Sequence, residues 1–490
     1  MSSPLSFILF IFFQFLFPSS FCSLSNSTHE VIIIGAGASG IAAFSVLAKN
    51  KTDVIILEAE NRIGGRINTV EFGENVVDLG AQWVHGSKHI GYKLANDFGL
   101  ITKSNFSLIN YCYSNRKEIP NDLIVKFQEI SMEILKCQDI QEELTVAEFA
   151  TEKFKNLTSD LKVPEEFPNL LEDMLENLMH NYIAGLSAFD WNQPSARSDN
   201  EDCDENNYNW KGKGYKTILN VLLNKAPYGS DNFEPEKKIL LSKNVIKIKS
   251  NNSEGIVKIY CNDSTEYKAK RVIFTPSLGV LKAKMNMFHP DLPDHKQRAI
   301  KSLGIGGVAK VFLEYSNDWF NKHRKFDVLD LIWDKNLRKS LKNFTTDEGV
   351  PWITDLAAIL SVDYNPNLLY LWFDGQTIPF IENLSEEDLM DGIQFAMNQF
   401  FGHKFDIPKP INILRSKWYT NEHFLGTYSY QTIESRKQPS NKHLGEPLQD
   451  QYGKDVIFFA GEATSLDHFS TVHGAIQSGF READNVLKSL

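Results

Sequence analysis

The chain opens with an almost unbroken apolar run, Leu5 to Phe17, interrupted only by Ser6 and Gln14. It falls short of the roughly 20 residues that cross a bilayer, and small residues around Ser20 and Cys22 follow it, so the spacing predicts a signal peptide over residues 1–22. No Lys or Arg precedes the run, and a signal anchor is the rival reading. Beyond it the pattern changes. Val31-Ile32-Ile33-Ile34 is a β-branched block of the kind that fills a parallel strand buried on both faces. A helical stretch, Ile41 to Lys49, and a second block, Asp53 to Leu57, follow. Val76 to Leu79 predicts a short strand, and residues 121–184 carry apolar positions at helical spacing, as in Leu170, Met174 and Leu178. Strands are expected from Ile239: Val245 to Ile248, a hairpin Ile256 to Tyr260 with Tyr267 to Ala269, and Arg271 to Phe274, stopped at Pro276. Alternation at Ala309 to Tyr315 and Leu368 to Phe373 predicts a second sheet. The chain closes with strand Val456 to Ala460 and a helix that aligns Ile476, Phe480, Ala483 and Leu487.

Chemistry enters at the first strand–helix junction. Gly35-Ala36-Gly37-Ala38-Ser39-Gly40 joins the two, and the second strand ends at Glu58. This is a dinucleotide-binding unit: Gly35 permits the tight turn, Gly37 lets a pyrophosphate approach, Gly40 allows close packing, and Glu58 accepts from ribose hydroxyls. The phosphates sit at a helix N-terminus, where unpaired N–H groups face them. The unit alone leaves NAD and FAD open. Arg62-Ile63-Gly64-Gly65-Arg66 follows at once; Gly65 lets the backbone lie against a cofactor, and Arg66 can pair with its pyrophosphate. This second element resembles that of the flavoprotein amine oxidases, and points to FAD.

Composition narrows the rest. At 490 residues, 42% apolar and 23% charged, the chain is an ordinary globular protein with room for two or three domains. Its formal charge of −11 argues against a broad nucleic-acid-binding face. None of the 12 histidines stands in a metal-ligand motif, so no metal site is expected. Sequons at Asn26, Asn50, Asn105, Asn156, Asn251, Asn262, Asn343 and Asn383 fit an exported, extracellular glycoprotein with no membrane span once the leader is removed. Cys112, Cys137, Cys203 and Cys261 leave any disulfide pairing open, and Asp199 to Glu205 is an acidic loop.

Taken together, the two glycine elements, Gly80-Ala81-Gln82-Trp83-Val84-His85-Gly86, Lys310, Gly426 to Tyr430, Phe459 to Thr464 and Ser470 to Ala475 resemble the flavin-containing polyamine oxidases, and among them the animal spermine and N1-acetylpolyamine oxidases. The resemblance spans about residues 29–488. It implies an α/β fold: a discontinuous Rossmann-type FAD-binding domain (29–85, 205–300 and 430–490) plus an α+β substrate-binding domain (86–204 and 301–429). By resemblance, Val245 meets the adenine, Glu462 beside Gly461 binds the ribityl or pyrophosphate portion, Gln82 and Trp83 border the cofactor, and the backbone of Thr471 and Val472 meets the isoalloxazine. Lys310 holds a water near flavin N5. His85 stands where plant relatives carry a carboxylate, and Tyr428 is one wall of the amine channel, with Trp83, Trp418 and Tyr430 as aromatic neighbours. Thr471 replaces the opposite aromatic wall, and Val308 a tyrosine of the plant enzymes. Without the family, Lys310 reads as a solvated strand lysine and His85 as a loop histidine. The implied reaction is oxidation of spermine, spermidine or an acetylated polyamine, with O2 reduced to H2O2. An L-amino-acid oxidase and a non-catalytic flavin-binding module are the rival functions.

Overall fold

The computed structural model describes residues 28–104, 109–135, 143–197, 206–225, 227–229, 234–250, 255–320 and 328–490. The leader, the acidic loop 199–205, Cys137, Cys203 and the sequons at Asn26, Asn105 and Asn251 lie outside the described residues.

Five strands run parallel through the heart of a nine-stranded sheet, in the order Asp455–Phe459, Glu266–Phe274, Thr28–Ile34, Val54–Leu57, Ile239–Leu240. Helices cover both faces, which is why Val31 to Ile34 is apolar at every position rather than at alternate ones. The first helix, Ala38–Lys49, packs along the last, Val472–Ser489. Contact is close because Gly479 has no side chain: a Cβ there would lie 2.2 Å from the Ser39 carbonyl oxygen. The two ends of the chain therefore build one nucleotide-type domain with the middle segment. Glu266–Phe274 is a single nine-residue strand, where the pattern predicted two pieces. Its first half pairs with Val257–Cys261 and its second with Asp455–Phe459, and Lys270-Arg271 at the handover interrupts the apolar pattern.

The second sheet has six strands, ordered Asn412–Arg415, Ala309–Glu314, Leu368–Phe373, Leu356–Ser361, Val328–Ile332, Ile109–Tyr113. Three helices, Asn121–Leu135, Val146–Thr158 and Leu170–Leu186, share a core beside it, as the helical spacing of 121–184 predicted. Leu170–Leu186 lies over the sheet: Asn177 Nδ2 donates to the Leu331 carbonyl at 3.3 Å, and His180 Nδ1 pairs with Asp374 Oδ1 at 2.5 Å in full burial.

Burial alone would lower the pKa of His180, but the Asp374 charge and hydrogen bond outweigh it and hold the imidazole up at about 9, against 6.5 when free. Between those values the folded state binds a proton that the unfolded chain has released. The contribution of this pair is therefore complete below 6.5 and is lost as the pH rises through about 9. Denaturant midpoints measured across that window should fall more steeply for the native chain than for a variant with both partners made apolar, His180→Leu with Asp374→Leu, because His180→Leu alone would leave the buried Asp374 without its counter-charge. Parallel curves would contradict the assignment.

Candidate functional site

A cavity of about 690 Å³ runs from the carboxyl ends of the parallel strands to the second sheet. That is where an open α/β sheet binds its ligand. Its nucleotide end is built from the two glycine loops. Gly35 adopts φ +101°, and a Cβ on it would lie 2.5 Å from Thr275 Oγ1. Gly40 stands outside the cavity wall and serves the packing predicted for it, since a Cβ would fall 2.0 Å from the Gly35 oxygen. The helix that begins at Ala38 has no side-chain cap at Gly37 and no acid in its first turn, leaving its opening amides to an anion. Gly65, in the second loop, lies against Gly37, its own Cβ position only 3.1 Å from the Gly37 Cα.

Glu58 is buried. It accepts from Ala36 N (2.5 Å) and Glu60 N (2.8 Å), and each carboxylate oxygen keeps a further lone pair for a ribose. Burial pushes its pKa up, against the pull of those two amides. Arg66 Nη1 donates to the Thr427 carbonyl (2.6 Å) and to Glu462 Oε1 (3.1 Å), while its Nε and Nη2 have no partner among the described residues. Glu462 Oε2 accepts from Ser429 Oγ (2.6 Å) and Ser470 N (2.7 Å). The expectation that Glu462 binds the ribityl chain or pyrophosphate directly thus acquires a different geometry, in which the carboxylate aims Arg66 and that guanidinium faces the cavity. Uncapped amides, a glycine cradle and a half-free guanidinium form a donor set suited to a pyrophosphate, and FAD fits it. Val245, Gly461 and Val472 line the same space.

At the other end Lys310, on Ala309–Glu314, is buried among Trp83, Tyr370 and Trp372, its Nζ within 5.8 Å of each ring centroid. Nζ donates to the Gly80 carbonyl (2.8 Å), Gln82 Oε1 (2.6 Å) and the Asp78 carbonyl (3.2 Å). It is not the solvated strand lysine that position alone suggests. Burial drives its pKa down toward neutrality, opposed by the Asp78 charge, and burial likewise raises Asp78. His85 faces the cavity, so its ring surface meets cavity solvent although protein surrounds it. Its Nδ1 is 2.7 Å from Asn207 Oδ1; an amide oxygen accepts there, so Nδ1 carries the proton and Nε2 presents a lone pair. Burial lowers the His85 pKa and the Lys310 charge adds to that, with Asn207 opposing, so the imidazole is neutral at pH 7.

Tyr428 lines the cavity and donates its hydroxyl to the Ala184 carbonyl at 2.5 Å; burial raises its pKa. Thr471 also lines it, but its hydroxyl caps the last helix, accepting from Gly474 N (2.9 Å) and donating to the His468 carbonyl (2.7 Å). Tyr430 is a correction: it is absent from the cavity wall. The strand here is only Ser429–Tyr430, and Tyr430 pairs opposite Gly304, where the missing side chain admits its ring. The hydroxyl donates to Gln193 Oε1 at 2.8 Å, away from the substrate space.

Two groups escaped the pattern. His89 stacks on His473 with ring centroids 3.7 Å apart and donates from Nε2 to the His85 carbonyl (2.7 Å), tying down the backbone that carries the His85 ring. Asp330, on Val328–Ile332, reaches the cavity wall. His89 sits four residues after His85, a spacing that was readable; Asp330 lies in an apolar run and gave no signal.

The nucleotide cradle joined to a buried lysine and a neutral histidine defines a flavoprotein oxidoreductase site. The family model described as flavin containing amine oxidoreductase matches residues 38–487, and the chain belongs to that family. A probable polyamine oxidase 5 of Arabidopsis thaliana is 27% identical, over 94% of this chain and 98% of that protein. The peroxisomal N(1)-acetyl-spermine/spermidine oxidase of Homo sapiens is 25% identical, over 94% of each. A redesigned putrescine oxidase structure superposes with a TM-score of 0.65 at 17% identity, covering 94% of this chain and 99% of that one, which shows the shared fold. Among the described residues no helix is long and apolar enough to cross a membrane, and no cluster of candidate metal ligands occurs.

Proposed function

We propose that this FAD-dependent amine oxidase acts on polyamines: spermine, spermidine or an N1-acetylated form. The observation that carries the reading is Lys310 and His85 facing one cavity that continues into the nucleotide cradle. Bound FAD supplies a hydride acceptor for the carbon next to the amine nitrogen. That carbon gives up hydride from a neutral amine, so the walls must shed the ammonium's proton and keep water out. Trp83, Tyr428 and Trp418 do the excluding, and Trp418 is locked by its Nε1 bond to the Leu79 carbonyl at 3.0 Å. His85 Nε2, neutral, accepts a proton or hydrogen bond from the substrate nitrogen. As an ammonium, Lys310 gives all three protons to protein oxygens; as a neutral amine it keeps the two shorter bonds, to Gln82 Oε1 and the Gly80 carbonyl, and giving up the longest, to the Asp78 carbonyl at 3.2 Å, turns its lone pair to a water at Nζ.

Arg66 is the one arginine on the described cavity wall, and it lies at the nucleotide end. An amino-acid oxidase needs an arginine at the substrate end for the carboxylate, so this supports amines over amino acids. Purified protein should release peroxide with spermine, spermidine or N1-acetylspermine and not with leucine or phenylalanine; the reverse pattern contradicts the reading.

Export, cleavage after the leader and glycosylation belong to the same proposal, with O2 as co-substrate. Support comes from Asn50, Asn156, Asn262, Asn343 and Asn383, all exposed. Secreted protein should begin near residue 23 and lose mass on glycosidase treatment; a retained leader and an unshifted mass count against it. The proposed division assigns residues 29–85, 205–300 and 430–490 to the cofactor and 86–204 and 301–429 to the substrate.

A further inference from the structure

Register in the second sheet sets four residues in one line. Lys310 pairs with Trp372, Trp372 with Ala358, and Ala358 with Asp330. Directly paired residues point to the same face of a sheet, and all four lie on the cavity wall. Lys310 and Asp330 are therefore three strand spacings apart, roughly 14 Å at about 4.8 Å each, along a floor made of an indole and a methyl group. A monoamine does not bridge that span; an extended chain with several nitrogens does. Helix Leu170–Leu186 roofs the far end, where Asn181 and Ala184 face the cavity.

Asp330 is buried in this floor and makes no ion pair among the described residues. It has a hydrogen bond from Asn181, and no cation offsets it; burial pushes the carboxyl up to about 7. Four carboxylates stand on the described cavity wall. Glu58 and Glu462 serve the nucleotide end, and Glu422 is exposed and bridges to Lys284 at 3.2 Å. Asp330 alone serves the substrate end. A buried carboxylate without a cation is costly to keep unless something brings the missing charge.

We propose that Asp330 binds the distal ammonium of the substrate, so that a polyamine lies along the row with its reacting carbon beside Lys310 and His85 and a second, protonated nitrogen on the Asp330 carboxylate. This deepens the polyamine reading and rests on it. The residue selects polyamines over monoamines and measures the distance from the reacting carbon to the next charge. Asn181 holds the carboxylate in position.

The test compares anaerobic flavin bleaching by spermidine with bleaching by an analogue whose distal ammonium is replaced by methyl. In the native chain the analogue should reduce the flavin with a second-order rate constant lower by about 30-fold or more, the effect expected for removing one partner of a buried charge pair. In Asp330→Asn, spermidine should fall by a similar factor, chiefly through a higher half-saturating concentration, while the analogue is unchanged, so the preference collapses; Asp330→Glu should restore part of it. Equal handling of the two amines by the native chain overturns the proposal without any variant. So does an Asp330→Asn enzyme that slows both amines equally, as a purely structural carboxylate would, or one that keeps the preference. Bleaching by spermidine in the native chain keeps the amine-oxidase reading whichever way the variants fall, whereas bleaching by no amine at all overturns both.

Discussion

Replacing Lys310 with methionine is expected to slow reaction of the reduced enzyme with O2 by about 100-fold, the lower range of what a positioned proton-transfer group contributes. Reduction by spermine under anaerobic conditions should change by much less. The asymmetry follows from where Nζ sits. Its partners are the Asp78 and Gly80 carbonyls and Gln82 Oε1, with three aromatic rings around the stem. The three hydrogen-bond partners of Nζ are not substrate-binding groups, and methionine fills the stem's volume, so the Trp83 and Trp372 walls of the channel keep their places. Burial brings the lysine toward neutrality, opposed by Asp78, so the native reoxidation rate should carry a limb in the neutral region that the methionine variant lacks. Stopped-flow measurement of the two half-reactions across pH 6 to 9 checks both. Equal losses in the two halves would assign Lys310 to substrate binding or to structure instead.

The second large effect concerns the cradle. Gly37 has φ −74°, where any residue is at ease, and the nearest neighbour to a Cβ placed on it is the Gly65 Cα at 3.9 Å. Gly37→Val should therefore fold. Its side chain occupies the space above the uncapped helix N-terminus, where a pyrophosphate must approach the amides. The variant should purify colourless, with far-ultraviolet dichroism unchanged and FAD affinity lower by about 100-fold, some 2.7 kcal/mol. By contrast Gly35→Val strains a φ of +101° and meets Thr275 Oγ1 at 2.5 Å, so it should lose the fold as well. A yellow, active Gly37→Val protein would mean that the cofactor's phosphates lie elsewhere.

How far the sequence could be read follows from which interactions are local. The strand–glycine–helix–strand unit is written in about 28 consecutive residues, 31–58, each doing a job that its own neighbours define. Lys310 was legible only through the family, because what distinguishes it from a solvated lysine is burial against Trp83, more than two hundred positions away. Tyr430 was named beside Tyr428 as an aromatic neighbour through the resemblance, whereas its strand is only two residues long and sets its ring opposite Gly304. Glu462 was read as a direct ligand of the cofactor, and that it also holds Arg66, Ser429 and Ser470 is something no spacing reveals. Asp330 lies between Leu329 and Leu331 in a strand that reads as core; only the register of four strands sets it in line with Lys310. Long-range pairing, not residue type, carries the specificity of this site.

One measurement bears most directly on the central claim, that the two ends of the chain close around FAD and set its reactive edge against a polyamine channel. Freshly purified protein should show an oxidised flavin spectrum, and anaerobic mixing with spermine should bleach it, with colour returning when O2 is admitted and peroxide appearing in proportion. Protein that binds no FAD, or a flavin spectrum left unchanged by every polyamine tried, would contradict the account.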